Sequence, residues 1–238
     1  MMRADVAAIV PSAGAGRRLG RSVGKLFVTL NGRPLLAHTL RALEESPSIR
    51  WIVPVVRSAE RGRVQALIAR YGITKAVAPC VGGPSRAESV ARGLAAVPAA
   101  ARWVLIHDGA RPCLSPRLVD AAVRAAGRQG AVACGLPAAL TVKAVDARGE
   151  VRLTLDREHL WLVQTPQVFR RDWLTEAFAR AGRRLAQFPD DAAVLESAGY
   201  AVRMIPGDPL NLKVTTRQDL LIAEAVLSAA SRNGRGMR

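Results

Sequence analysis

The first patterned stretch is apolar without interruption. VAAIVPS, residues 6–12, reads as a buried strand that delivers the chain into a glycine-containing loop. From Leu35 to Leu43 apolar residues recur at helical spacing, and WIVPVV at 51–56 is the next short apolar run. A helix over about 60–71 and a strand near 73–79 continue the alternation. The following helix has a marked start: Ser85 and Glu88 form a capping box, and Ala87, Val90, Ala91, Leu94 and Val97 make one apolar face, with Ser89 directed elsewhere. WVLIHDGARP, residues 103–112, supplies a strand whose end carries His107, Asp108 and Arg111. Ser115 and Pro116 open another helix, a cap followed by a proline at the first position, where its missing N–H is harmless.

Strands alternating with helices of these lengths predict an α/β fold, with a mostly parallel sheet covered by helices on both faces. In that architecture ligands sit at the carboxyl ends of the strands, where the loops at 12–25, 80–86 and 107–112 all fall. The pattern changes after about residue 137. LTVKAVDARGEVRLTLD, residues 140–156, alternates branched and polar side chains around DARGE and reads as a hairpin. A two-stranded arm is marginal alone, so a partner subunit is expected against it. Helices follow at roughly 170–181 and 191–198, then a strand at 201–205, the segment DPLNLKVTT, and a last helix begun by Thr216 with Asp219 at its third position. Residues 1–230 form one domain, the arm occupying about 138–160, and SRNGRGMR at 231–238 is read as a frayed, disordered basic tail.

Composition narrows the function. A chain of 238 residues buries one sizeable core. The formal charge of +16 is suited to polyanions. The arginines are scattered rather than blocked, and four phenylalanines, four tryptophans and two tyrosines, 4% of the chain, give little for bases to stack on, so a dedicated nucleic-acid surface is not expected. Cys80, Cys113 and Cys134 are too separated for a disulfide scaffold or a cysteine zinc site and fit a reducing cytosol. Neither a membrane span nor a secretory leader is evident, and a cytoplasmic location is expected.

The candidate chemistry starts at VPSAGAGRRLGRSVGK, residues 10–25. Gly14, Gly16 and Gly20 miss the dinucleotide spacing, and Gly20, Gly24 and Lys25 miss that of an ATPase phosphate loop. Backbone N–H groups at Gly14 and Gly16, with Arg17, Arg18 and Lys25 around them, can still bracket a polyphosphate, although the loop alone is weak evidence for that and an arginine-rich turn is a fair competitor. Asp108 is either a magnesium ligand acting through substrate phosphates or a carboxylate paired with Arg111. His38, His107 and His159 are read as structural, Cys80 and Cys113 as small buried side chains, and Asp190 and Asp191 as helix caps.

PSAGAGRRLG, GGPSRAESVARGL, HDGARPCL, TLDREHLWLVQTPQVF and NLKVT occur in that order. In this arrangement the chain resembles the 2-C-methyl-D-erythritol 4-phosphate cytidylyltransferase family over nearly its whole length. The resemblance implies a single Rossmann-like nucleotidyltransferase domain with a β-hairpin dimerisation arm, acting on CTP and a sugar-alcohol phosphate with Mg2+ or another divalent cation. It assigns Arg18 and Lys25 to the triphosphate and transition state, and Asp108 to the cation and nucleotide. Ala13, Gly14, Gly16, Gly82, Gly83 and Ser89 fall to the nucleotide, and Arg111, Arg157, Thr165 and Lys213 to the acceptor site, with Arg157 and Lys213 also catalytic. Arg157 would come from the arm of the other subunit of a homodimer. Gly24 and Leu26 depart from the family's usual Pro and Gln, Leu140 from its Asp, and Pro189 from its Thr. These changes leave ribitol 5-phosphate as a competing acceptor, and a non-catalytic RNA-associated protein as a more distant alternative.

Overall fold

The computed structural model describes residues 5–14 and 24–235. Its strands are β1 (Val6–Pro11), β2 (Thr29–Leu30), β3 (Arg33–Pro34), β4 (Ile49–Val56), β5 (Cys80–Val81), β6 (Trp103–Ile106), β7 (Ala131–Pro137), β8 (Val142–Val145), β9 (Val151–Leu155), β10 (Trp161–Arg170) and β11 (Arg203–Pro206). The helices are α1 (Leu35–Glu45), α2 (Arg61–Arg70), α3 (Arg86–Ala95), α4 (Pro116–Gln129), α5 (Arg171–Ala181), α6 (Asp191–Ser197) and α7 (Arg217–Arg235).

Seven strands form the main sheet in the order β11-β7-β10-β6-β1-β4-β5. Its neighbours are parallel except β10, which runs antiparallel between β6 and β7. The uninterrupted apolar run of β1 follows from burial on both sides. Val6, Ala8 and Val10 join a core with residues of α1, α2 and α4, while Ala7 and Ile9 join a second core with residues of α3, α5 and α6. Gly93 lets α3 approach β1 closely: a Cβ there would lie 2.5 Å from Ile9 Cγ2. From β1 the chain proceeds to β4 on one side and β6 on the other, so a crevice opens at the carboxyl ends of β1 and β6.

Two sequence expectations are corrected. Residues 73–79 form no regular strand. Ala76 makes one isolated bridge to Ile52, and pairing with β4 resumes only at Cys80–Val81, past Pro79, which has no N–H to donate. The stretch read as a tail is helical as far as Arg235, because α7 continues through Ser231. The strand β10 was not foreseen. Pro166 sits inside it and argues against a strand, and the ladder with β7 accommodates it by a register shift between Val163 and Gln167.

The expected hairpin is present as β8 and β9, which among the described residues pair only with each other. Its Val145, Val151 and Leu153 are each more than half exposed.

Candidate active site

Loops after the strand ends converge as the topology requires. Ser12 N–H donates to the Val55 carbonyl, Gly82 N–H to that of Val56, His107 N–H to that of Ile9 and Gly109 N–H to that of Pro11. Between these loops lies a pocket of ≈ 410 Å³. Ala13, Gly14, Lys25, Gly83, Ser89 and Asp108 line it, together with Arg86 and Lys213. Gly82 stands just behind: a Cβ there would meet Ala13 Cβ at 2.5 Å and Ser89 Oγ at 2.8 Å, so glycine lets the first loop close against α3.

The capping box at the start of α3 forms as expected, with Ser85 Oγ accepting from Glu88 N–H and Glu88 accepting from Ser85 N–H. Ser89 Oγ accepts from Gly83 N–H at 3.1 Å and donates to the Ser85 carbonyl at 2.8 Å. The glycine turn is thereby fixed to the helix that follows it.

Asp108 is the focus of charge. Its Oδ2 lies 2.7 Å from Lys213 Nζ and 3.8 Å from Arg111 Nε, and its Oδ1 accepts from Arg86 Nε at 3.0 Å. Burial by itself would raise the pKa of this carboxyl, but Arg86, Lys213 and Arg111 overcome that and hold it well below the usual carboxylate range. Arg111 is itself buried, which lowers its pKa, and its Nη1 donates to the Asn211 carbonyl at 2.6 Å. Asn211 Nδ2 donates to the Thr165 carbonyl at 2.7 Å, and Val214 N–H to the Ala110 carbonyl. The NLKVT segment is therefore stitched to the Asp108 loop, which brings Lys213 to its carboxylate.

Lys25 belongs to a short 3-10 turn, Lys25–Phe27. Gly24 before it has φ −49° and ψ 135°, values that proline also adopts. What a larger residue would meet there is the Arg57–Glu60 ion pair: a Cβ on Gly24 would lie 2.5 Å from Glu60 Oε1. The Arg63 guanidinium covers the Phe27 ring at 3.8 Å, a second tie between this turn and α2.

Other expected site residues stand apart from the pocket. Thr165 is buried, and its hydroxyl accepts from Asp108 N–H and contacts His107 Nδ1, each at 3.1 Å, so it braces the Asp108 loop from behind. Arg157 is exposed near the arm and donates to the Ala139 carbonyl, outside the pocket lining. Arg18 and Gly16, with Arg17, lie outside the described residues. Asp191 corrects the reading as a helix cap. Asp190 caps α6 by accepting from Ala193 N–H, whereas Asp191 is fully buried and forms an ion pair with Arg86 at 2.9 Å. The sequence reading missed Arg86, Asp191 and Asn211 as parts of the site.

A doubly wound sheet, a glycine turn capped onto a helix and a cluster of cations around one strand-end carboxylate make a pocket suited to the phosphates of a nucleotide, and the proteins this chain is similar to are nucleotidyltransferases. The model of the 2-C-methyl-D-erythritol 4-phosphate cytidylyltransferase family matches residues 6–229. A protein of that name from Pelotomaculum thermopropionicum is 42% identical over 231 residues, covering 97% of this chain and 96% of its own. The solved cytidylyltransferase of Thermus thermophilus superimposes with a TM-score of 0.75 at 33% identity, covering 93% of this chain and 98% of that one. The 4-diphosphocytidyl-2C-methyl-D-erythritol synthase of Anaerococcus prevotii gives a TM-score of 0.82 at 26% identity, with 94% and 98% covered. The chain belongs to the 2-C-methyl-D-erythritol 4-phosphate cytidylyltransferase family.

Proposed function

We propose that this protein transfers the cytidylyl group of CTP to 2-C-methyl-D-erythritol 4-phosphate. An oxygen of the acceptor phosphate forms a bond to the α-phosphorus, the bond from that phosphorus to the bridging oxygen breaks, and pyrophosphate leaves with the electron pair. The product is 4-diphosphocytidyl-2-C-methyl-D-erythritol. The observation that carries the reading is the convergence of Lys25, Arg86 and Lys213 with Asp108 on one pocket behind a glycine turn.

A phosphate monoester is largely a dianion at neutral pH, its second pKa being about 6, so the nucleophile needs no strong base. What the protein supplies is alignment and fixed positive charge. Charge accumulates on the oxygens of the α-phosphorus as the attacking and leaving oxygens come into line, and preorganised cations bind that arrangement more tightly than the ground state. Lys25 and Arg18 serve the triphosphate in this proposal, and Lys213 and Arg111 the acceptor phosphate. Ala13, Gly14, Gly16, Gly82, Gly83 and Ser89 frame the nucleoside, with Thr165 supporting the acceptor side through the Asp108 loop.

Among the described residues no group of three or more His, Cys, Asp and Glu forms a protein-built metal site. A single carboxylate does suit an ion that arrives on the triphosphate, since Mg2+ takes one or two carboxylates and keeps some of its waters. Asp108 would hold such an ion only by exchanging Lys213, which occupies its Oδ2, for it, and the ion would neutralise phosphate charge.

The arm supports a homodimer. A hairpin that exposes Val145, Val151 and Leu153 and, among the described residues, pairs only with itself needs a surface to cover it, and Arg157 at its exit would then enter the pocket of the partner. No described helix is long and apolar enough to cross a membrane. A cytoplasmic location is part of the proposal.

Pyrophosphate release with each of the four common nucleoside triphosphates tests the reaction. Release only with CTP, and only when 2-C-methyl-D-erythritol 4-phosphate is present, is expected. Equal release with UTP, or release from CTP without an acceptor, would refute it.

A further inference from the structure

The Arg86 guanidinium is held from both sides. It is the first residue of α3, so the Ser85 cap fixes its backbone. Its Nε donates to Asp108 Oδ1 at 3.0 Å while its Nη1 lies 2.9 Å from Asp191 Oδ2. Asp191 is 0% exposed and absent from the pocket lining. Capping of α6 does not require it, because Asp190 already does that. A carboxylate buried this deeply is costly unless paired, and the cation that meets it is Arg86.

The position of Asp191 is itself fixed. Gln167, on β10, donates to Asp190 Oδ2 at 2.8 Å and accepts from Ala192 N–H at 3.1 Å, which pins the start of α6 against the sheet. A continuous polar path therefore runs from Gln167 through the first turn of α6 to Asp191, Arg86 and Asp108.

We infer that Asp191 is a positioning residue for nucleotidyl transfer, anchoring Arg86 so that Arg86 sets the orientation of Asp108 and presents its own charge to the nucleotide phosphates. The role rests on the cytidylyltransferase reading. A planar guanidinium can bond two carboxylates at once in a fixed geometry, whereas an ammonium is a point charge on a flexible stem. With Asp191 neutral, Arg86 keeps one anchor and rotates about it. With lysine at 86, only one carboxylate can be reached.

The test uses full-length Asp191→Asn, Asp191→Glu, Arg86→Lys and the Asp191→Asn/Arg86→Lys double variant. Steady-state pyrophosphate release and thermal unfolding are measured beside 15N NMR exchange of the Arg86 Nη1 protons without substrate. Small misplacements at a reacting centre are expensive, so Asp191→Asn is expected to lower kcat about 30-fold with a change in KM for CTP under about 3-fold. Asp191→Glu should recover to within about 5-fold of the parent, because the charge returns. Arg86→Lys should lose about as much as Asp191→Asn, and the double variant should be no worse than either, since both break one unit. Exchange of the Arg86 Nη1 protons, which face Asp191, should quicken at least about tenfold in Asp191→Asn as that anchor is lost.

Parent kcat in folded Asp191→Asn, additive losses in the double variant, or an unchanged Arg86 signal would each overturn the inference. A parent that fails to use CTP refutes the cytidylyltransferase reading instead, and the NMR comparison still decides whether Asp191 anchors Arg86.

Discussion

Asp108 acts through what surrounds it. Behind it, His107 is fully buried, with Nδ1 beside the Thr165 hydroxyl. Burial first, and the nearby Arg111 second, push the imidazole pKa down to about 3. The ordinary value in an unfolded chain is about 6.5, so between these values the unfolded state binds the proton and the folded state refuses it. The neutral ring therefore supports the fold fully above that range, and the contribution drains away as pH falls. At ~1.4 kcal/mol per pH unit, moving from pH 6.5 to 5 costs about 2 kcal/mol. Urea unfolding of the parent and of His107→Asn at pH 7 and pH 5 checks this. The parent should lose about 2 kcal/mol more than the variant over that interval. Asp191, whose pKa burial raises to about 6 despite Arg86, contributes the opposite slope, but it is present in both proteins and cancels in the difference. Parallel pH dependences would contradict the assignment. His107 was legible as structural because it neighbours Asp108 on an extended chain and so points to the other face. Arg86 and Asp191 were not, because their pairing exists only once β10 has placed α6 beside α3.

Elements were readable where their signals are local. The capping box of α3, the Ser115–Pro116 start of α4 and the Thr216–Asp219 start of α7 all form as their sequences indicate. Reading failed where long-range pairing overruled a local sign. Pro166 concealed β10, and the apolar character of 73–79 suggested a strand where the chain makes one bridge to Ile52 and regular pairing with β4 begins at Cys80. At this scale the closure of the first loop against α3 depends on one missing side chain. Gly82→Ala would force Ala13 and Ser89 apart and so widen the nucleotide end of the pocket. An increase in KM for CTP of about tenfold is expected, with kcat changed less, since the substitution removes binding rather than charge at the α-phosphate. Steady-state kinetics check it, and an unchanged KM would show that the two loops do not jointly hold the nucleotide.

For the whole molecule, the proposed arm exchange would account for two observations: Val145, Val151 and Leu153 are exposed on a hairpin that, among the described residues, pairs only with itself, and Arg157 lies outside the pocket lining of its own chain. Mixing Lys25→Ala and Arg157→Ala proteins, each inactive, tests arm exchange. In a mixed dimer one composite site holds both intact residues, so free exchange of subunits should restore about a quarter of parent activity. Mixed dimers verified by mass that stay inactive would mean each subunit supplies its own Arg157. The loops that line the pocket were legible because their motifs sit at strand ends. The acceptor side was less so, since Leu140 and Pro189 depart from the family pattern the sequence otherwise follows.

Acceptor choice is therefore the most direct test of the proposed reaction. The protein is given limiting CTP with equal amounts of 2-C-methyl-D-erythritol 4-phosphate and ribitol 5-phosphate, and the diphosphate products are resolved by 31P NMR. The account predicts 4-diphosphocytidyl-2-C-methyl-D-erythritol as the dominant product. Predominant formation of the cytidylyl ribitol product would contradict it.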